Sequence, residues 1–444
     1  MIRALKKHLL GVLTGDDALD RACQEITARD CHEMRRNFHL NVCNGASSKL
    51  AEQLAGPNLI LPWLLQLLGA PIWMFGFLLP IKQTFSLLPQ MVVAGQIRRL
   101  SLRKWVWSCS GGVQAGCLLA MIPAALWLSP IGAGLTLLCL LVVFSTASGS
   151  ASVAFQDVLG KTIKKGHRGR LLAQRAFFGG ILTSAAGLIL NRLQQDQQDL
   201  LPALLLLFVA ALLWLLAALF FALLREEPGA TQGGRSALAE TGAGLDYYRR
   251  YPGYRDFLKV RSLLLPIELT TPFLVLHASQ LLQLTIQDIG MLVMAVGFSQ
   301  IISSPFWGRM ADTTSRQVMV RSAQIAATAI FLALLLPFLP FYSLQYTGYL
   351  LIFVLIGLAE GGIRLGRKTY LVDAVPAEER ATFTAFSNSS MGIIAMLWGL
   401  GGLLAQWFGV TSMLLIVGAV MLLGVYASRH LPEADAMLKQ GHRQ

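Results

Sequence analysis

The stretch LLPALLLLFVAALLWLLAALFFALL, residues 200–224, contains no ionisable side chain. A helix that long and that apolar belongs in the interior of a lipid bilayer, whose hydrocarbon core of about 30 Å takes roughly 20 residues. The rest of the chain repeats the theme. Candidate spans fall at 38–67, 70–93, 106–128, 131–153, 172–191, 200–224, 258–283, 286–306, 318–339, 347–366, 383–405 and 410–428. Membrane β-strands would alternate apolar and polar over about ten residues, and these runs do not. Only 14% of the chain is charged, against about 25% in soluble domains. The expected class is an all-α membrane protein with twelve transmembrane helices.

The net charge of +13 raises the question of a nucleic-acid partner, and its distribution answers it. Basic residues gather in alternate gaps, as in Arg98, Arg99, Arg103 and Lys104, then Lys161, Lys164, Lys165, Arg168 and Arg170, then Arg309, Arg316 and Arg321. The other gaps ("LGA", "LSPIG", "TIQDIG", "WFG") are short and nearly bare, with Arg192 the exception. Cationic loops remain cytoplasmic. The expectation is therefore an integral protein of the plasma membrane or a bacterial inner membrane, both termini inside, with no nucleic acid bound. The expected partners are the lipid bilayer, a small-molecule solute and protons, and the chain is expected to be a monomer.

The six cysteines form no CxxC pair. Cys43, Cys109, Cys117 and Cys139 lie in spans and read as small hydrophobes. Cys23 and Cys31 lie in the N-terminal head, so neither a metal nor a disulfide framework is expected. Residues 2–13 place Ile2, Leu5, Leu9 and Val12 on one side, which fits an interfacial helix or an ordinary soluble one. His32-Glu33 lacks the second histidine of a zinc-protease motif. No P-loop and no Ser-His-Asp arrangement is visible, so no enzyme activity and no cofactor are expected.

The polar segment 225–257 splits the spans into six and six, giving a head (1–37), a first bundle (38–224), a central loop (225–257), a second bundle (258–428) and a tail (429–444). The halves repeat. Pro57 pairs with Pro272, Gly95 with Gly308, Arg103 with Arg316, Arg168 with Arg380 and Gly180 with Gly392, at offsets drifting from 215 to 212. Parallel repeats of this kind build transporters whose halves rock about a midplane site.

Between the eighth and ninth spans lies GRMADTTSR, residues 308–316, with Gly308, Asp312 and Arg316 spaced by four. With the twelve spans and the halved repeat, it resembles the loop signature of the major facilitator superfamily, over residues 38–430. In the first-half counterpart, GQIRRLSLRK, Arg99 stands where the Asp belongs. Read from the residues, Gly308 permits a tight turn, and Asp312 can meet a helix N-terminus and pair with Arg316. The resemblance implies that Asp312 docks on the eleventh helix, with Arg380 as a partner, and holds a cytoplasmic gate shut. Gly95, Arg103, Gly308, Asp312, Arg316 and Arg380 are the candidate gate residues. With Arg99 in the first half, the second half is expected to hold that end more tightly.

Charges at mid-depth cost several kcal/mol unless they meet a partner or a cavity, and spans one, two, seven and ten carry them. The resemblance implies that helices one, four, seven and ten line the cavity, while three, six, nine and twelve face lipid. Asn41, Asn44, Ser48, Lys49 and Glu52 share roughly one face of the first span. Lys49 and Glu52 are either an intrahelical ion pair or a functional pair. Glu268 falls one residue from the repeat position of Glu52, and a carboxylate held from water can carry protons. Lys82 and Gln83 sit mid-span between two prolines, and Lys82 is expected to reach the cavity or Glu52. Glu360 has Arg364 one turn on, which reads as a helix-surface ion pair. Lys49 and Lys82 point to an anionic or zwitterionic solute.

FSTASGSASVA in the fourth span reads as close helix packing, and that span lacks the mid-span Arg of the superfamily's proton antiporters. FFGGILTSAAGLIL in the fifth lacks their Gly-Pro signature. Asp157 and Asp373 read as loop-end charge pairs. The expected function is secondary active transport by alternating access. A drug efflux permease, or a non-transporting sensor or assembly factor of the same fold, are the alternatives.

Overall fold

The computed structural model describes residues 28–97, 100–163, 168–191, 200–228, 237–311, 314–375 and 380–437. The first half contains α1 (Ala28–Ala55), α2 (Ile60–Leu67), α3 (Trp73–Ile97), α4 (Lys104–Trp127), α5 (Pro130–Thr162), α6 (Arg168–Asn191) and α7 (Leu201–Ala222). A connecting helix, α8 (Ala237–Arg250), follows. The second half contains α9 (Pro252–Leu282), α10 (Ile286–Ala311), α11 (Ser315–Leu335), α12 (Tyr342–Ala374), α13 (Arg380–Gly399), α14 (Gly401–Phe408) and α15 (Val410–His430). Among the described residues, nine helices are long and apolar enough to cross a membrane by themselves.

The internal repeat is visible in packing. In the first half α1 packs on α6 and α7, α3 on α5, and α4 on α5 and α7. In the second half α9 packs on α13 and α15, α10 on α12, and α11 on α12 and α15. Each pairing has its counterpart. The turns repeat too: Gly69 ends the first hairpin in the left-handed region (φ 67°), and Gln283, 214 residues later, does the same with φ 54°. A non-glycine residue there is uncommon, so the fold holds Gln283 in a geometry that glycine adopts freely. The Gly69 and Ala70 amides close that first turn on the carbonyls of Gln66 and Leu65.

Several helix bounds differ from the hydropathy reading. The first span is broken, because Pro57 offers no amide and its ring collides with the preceding turn; Gly56 and Pro57 separate α1 from α2. Its repeat mate Pro272 sits inside the uninterrupted α9, along with Pro266. The eleventh span breaks at Leu400, which its amide and carbonyl tie to Leu397 and Leu403. Helices α5 and α12 each run 33 residues, or about 50 Å at 1.5 Å per residue. They overrun the bilayer core, and hydropathy marks only their apolar part. The segment read as a central loop contains α8, whose Tyr247 stacks on Phe383 at the start of α13, with centroids 4.3 Å apart.

α7 shows how the bundle meets lipid. Leu201, Leu205, Leu212, Leu216 and Leu219 are exposed, while Leu207, Ala210, Ala211 and Ala217 face the core. We use "head end" for the end of the bundle where α1 begins, and "far end" for the opposite one.

The halves meet along α3 against α13 and α14, and along α6 against α10. At these seams backbone meets backbone. A Cβ on Gly76 would come within 2.6 Å of the Gly399 carbonyl and the Gly402 backbone, and one on Gly187 within 2.5 Å of the Gly290 carbonyl. All five glycines lie toward the far end. At mid-depth the two crossings mirror each other: the Thr84 hydroxyl donates to the Gly392 carbonyl at 2.6 Å, and Gly297 lies against Gly180. Thr84 and Gly297 are 213 residues apart, Gly180 and Gly392 are 212 apart, so one contact has been built twice.

Overpacking such a contact costs about 1–3 kcal/mol, so Gly76→Ala and Gly402→Ala should each lower the melting temperature of the detergent-solubilised protein. Gly116→Ala, where a Cβ meets nothing, should leave it unchanged or raise it slightly. Equal shifts at all three positions would contradict backbone contact at the seam.

Candidate functional site

A charged cluster sits between the halves at mid-depth. α1 brings Lys49 and Glu52 to the end of its last full turns, just before the Gly56-Pro57 break. α3 brings Lys82 and Gln83, α9 brings Glu268 and Thr271, and α12 brings Glu360, Arg364, Arg367 and Lys368. Lys82 ion-pairs with Glu52 inside the first half, and Lys49 approaches the other Glu52 oxygen at 3.6 Å. Gln83, its neighbour on α3, crosses to the second half and donates from Nε2 to Glu268 Oε2 at 3.0 Å. Arg367 holds the second Glu268 oxygen at 3.3 Å. The Thr271 hydroxyl donates to Glu360 at 3.1 Å.

Lys49 and Glu52 keep 43% and 32% of their side-chain surface although they lie deep in the bundle, so that surface is the wall of an internal cavity. The cluster is electrostatically continuous. Arg364 acts on Lys49, Glu52 and Glu360, and Lys368 senses Arg364, Arg367, Lys49 and Glu268. Arg261 of α9 lies beside Arg367 and Glu268. Its guanidinium is buried and donates to two neutral acceptors, Ser387 Oγ and Asn388 Oδ1. Among the described residues, Lys49, Lys82, Arg261, Arg364, Arg367 and Lys368 thus face only Glu52, Glu268 and Glu360. At low dielectric that surplus is a strong attraction for an anion. Among the described residues no cluster of His, Cys, Asp and Glu could hold a metal ion.

Some side chains assigned to the cavity from sequence lie elsewhere. Asn44 is buried and donates to the Ala217 carbonyl of α7 at 2.9 Å, so it ties α1 to α7. Asn41 meets Arg175 of α6 at 3.0 Å through its carbonyl. Ser48 returns to the Gly45 carbonyl of its own helix at 3.2 Å. A polar stripe of α1 reads as one face on a helical wheel, but three neighbouring helices divide it. Glu360 and Arg364 form no ion pair within 4 Å, because the Glu360 side chain turns to Thr271. Arg367 and Lys368 fall just beyond the tenth candidate span and read as part of a basic loop, while Arg261 and Arg175 lie near the head-end starts of the seventh and fifth spans. The signal for the first pair was that α12 continues without a helix breaker through Arg364, Arg367 and Lys368.

The candidate gate residues are also redistributed. Gly308 makes no turn: it lies within α10, three residues before Ala311, and a Cβ there would meet nothing. Gly95 likewise lies within α3. Asp312 and Arg99, and the side chain of Arg380, fall outside the described residues, so the Asp312–Arg316 pair does too. Arg316 bonds Glu433 at 2.7 Å and reaches the Arg429 and Leu431 carbonyls at the end of α15 at 3.3 and 3.2 Å. Arg103 is buried and pairs with Asp157. Lys161 joins Asp157 at 3.2 Å and Glu226 at 2.8 Å, and Glu226 also accepts the Arg103 and Lys104 amides. Among the described residues, the denser ion network staples the first half; the Arg99 and Asp312 positions that the latch expectation compares lie outside them.

The Glu52–Lys82 pair yields a direct test. Lys82→Met and Glu52→Gln should each destabilise the protein, with the double variant recovering part of the loss and a coupling of about 0.5–3 kcal/mol. Strict additivity in chemical denaturation would remove the pair from the account.

The comparisons with known proteins fit this geometry. The sequence model of the Major Facilitator Superfamily matches residues 262–443. About nine-tenths of the chain superposes on solved transporters. A D-xylose–proton symporter aligns with TM-score 0.68 at 12% identity, over 89% of this chain and 98% of the other. The nucleoside transporter NupG gives 0.63 at 15% identity, over 88% and 98%. A POT family transporter in complex with 5-aminolevulinic acid gives 0.69 at 10% identity, over 92% and 97%. A search of curated proteins returned no sequence match. The second half of this integral membrane protein thus matches the Major Facilitator Superfamily by sequence, and nearly its whole length shares the fold of solved transporters.

Proposed function

We propose that this chain is a secondary active transporter that moves a small anionic or zwitterionic solute by alternating access of the cavity between its halves. The observation that carries the reading is the cation surplus around the Gln83–Glu268–Arg367 bridge. A solute with a carboxylate or phosphate would balance Lys82, Arg364 and Arg367, and it would do so across the line where the halves must part. A lipophilic cation, the cargo of many drug permeases, would meet repulsion there. The structural relatives include a proton symporter, which accords with coupling to a proton gradient.

Among the carboxylates, Glu52 is matched by two ammonium groups, and a proton arriving there would displace both. A proton on Glu360 displaces one hydroxyl hydrogen bond, and one on Glu268 releases Arg367 and Gln83 together. Glu268 and Glu360 are therefore the coupling residues of this reading. Protonation of Glu268 would loosen the bridge between the halves, which links the proton to the rocking motion. The basic head-end loops support cytoplasmic termini in a plasma or bacterial inner membrane.

A thermal-shift screen of the purified protein against carboxylates, phosphate esters, amino acids, neutral sugars and lipophilic cations tests the cargo. Anions or zwitterions should stabilise it, and Lys82→Gln should weaken their apparent affinity about tenfold, or about 1.4 kcal/mol. Stabilisation by neutral sugars or lipophilic cations alone would contradict the reading. In proteoliposomes, Glu268→Gln and Glu360→Gln should abolish uphill uptake driven by a pH gradient while counterflow of the same solute persists. Wild-type accumulation in both variants would rule out these carboxylates as proton carriers.

A further inference from the structure

The head end carries a second basic site, on the outer surface and separate from the central cavity. A cleft of about 240 Å³ opens there between the first turns of α11 and the last turn of α15, lined by Arg316, Gln317, Val320, Arg321, Gln324 and Arg429. Three guanidinium groups converge on it. Arg316 is engaged by Glu433 and by carbonyls of the α15 end. Arg321 and Arg429 are both exposed, and neither has an ion-pair partner among the described residues.

The position of the cleft decides what fills it. Arg321 lies about 9 Å along α11 from Ser315 at 1.5 Å per residue, inside the head-end part of the apolar span Ser315–Phe338. At that depth a charged side chain must reach the headgroups or meet an anion. Directly inward on α15, Leu422, Leu423 and Tyr426 are exposed on the lipid-facing surface. The site thus offers guanidinium donors above and an apolar track for acyl chains below. Arginine forks match phosphate oxygens bidentately, and basic pockets between membrane helices bind acidic lipid headgroups.

We infer that the Arg316–Arg321–Arg429 cleft binds the phosphate of one anionic phospholipid. The lipid ties α11 to α15 at the head end, with Arg316 held in place by Glu433 and with Arg321 and Arg429 as the lipid ligands. A free phosphate would satisfy the guanidinium groups but not use the apolar track.

The experiment is native mass spectrometry of the full-length protein in detergent, titrated with phosphatidylglycerol, phosphatidylcholine or inorganic phosphate. The wild type should retain one phosphatidylglycerol in preference to phosphatidylcholine. The Arg321→Gln/Arg429→Gln variant should bind it at least about tenfold more weakly, the scale expected for two interfacial basic residues. The melting temperature of that variant without added lipid reports that it is folded, and because both side chains are exposed it should match the wild type. Equal retention of phosphatidylcholine, undiminished phosphatidylglycerol binding by the folded variant, or inorganic phosphate displacing the lipid at equal concentration would each overturn the assignment. If the double variant does not fold, Arg321→Lys provides the same comparison, with loss of bidentate binding expected to weaken retention and unchanged retention contradicting it.

Discussion

The two halves touch backbone to backbone. Gly76 lies on Gly399 and Gly402, and Gly187 lies on Gly290, at separations that leave no room for a Cβ. In a bilayer no hydrophobic gain drives helices together, so close approach of small residues supplies the attraction through dispersion. The seam then fixes what can happen elsewhere. It shuts the far end, sets the spacing between α3 and α9, and places Gln83 within reach of Glu268. Because the Thr84–Gly392 contact has a repeat-related partner at Gly180 and Gly297, the seam is a pair of equivalent hinge surfaces, which suits one half rocking against the other.

Charge is arranged in three tiers with different jobs. At the head end of the first half, Arg103, Asp157, Lys161 and Glu226 neutralise one another and hold the ends of three helices together. In the middle, cations outnumber carboxylates, the imbalance on which the proposed anionic solute rests. On the outer surface between α11 and α15, Arg316, Arg321 and Arg429 line a cleft that we assign to a lipid phosphate. Burying charge is tolerated in the first tier because each ion there has a close partner. In the second tier it is tolerated because the groups line a cavity.

Much of the architecture was legible in the sequence, since bilayer thickness imposes a length that apolar runs reveal. The apolar spans come from that constraint, and the repeat came from paired positions such as Gly180 and Gly392, which the structure places at matching seams. What could not be read was direction around each helix. Asn44 and Glu52 fall on one stripe of α1, yet one faces α7 and the other the cavity, because the helix is surrounded by neighbours on several sides. Gly308 looked like a turn former because its spacing to Asp312 suggested a loop, but α10 simply continues through it. Arg367 escaped notice because a basic residue near a helix end looks like a topology signal, and only the full 33-residue length of α12 carries it back to Glu268.

The central claim is that a seam shut at the far end opens when the halves rock about the charged bridge. Spin labels at Leu128→Cys and Tyr342→Cys report on the far end across the halves, and labels at Gln156→Cys and Asp373→Cys report on the head end. Double electron–electron resonance in lipid, on acidification and with the stabilising solute added, measures both separations. The account predicts a second population in which the far-end distance lengthens while the head-end distance shortens. A single unchanged distance at both ends, or both ends lengthening together, would contradict it.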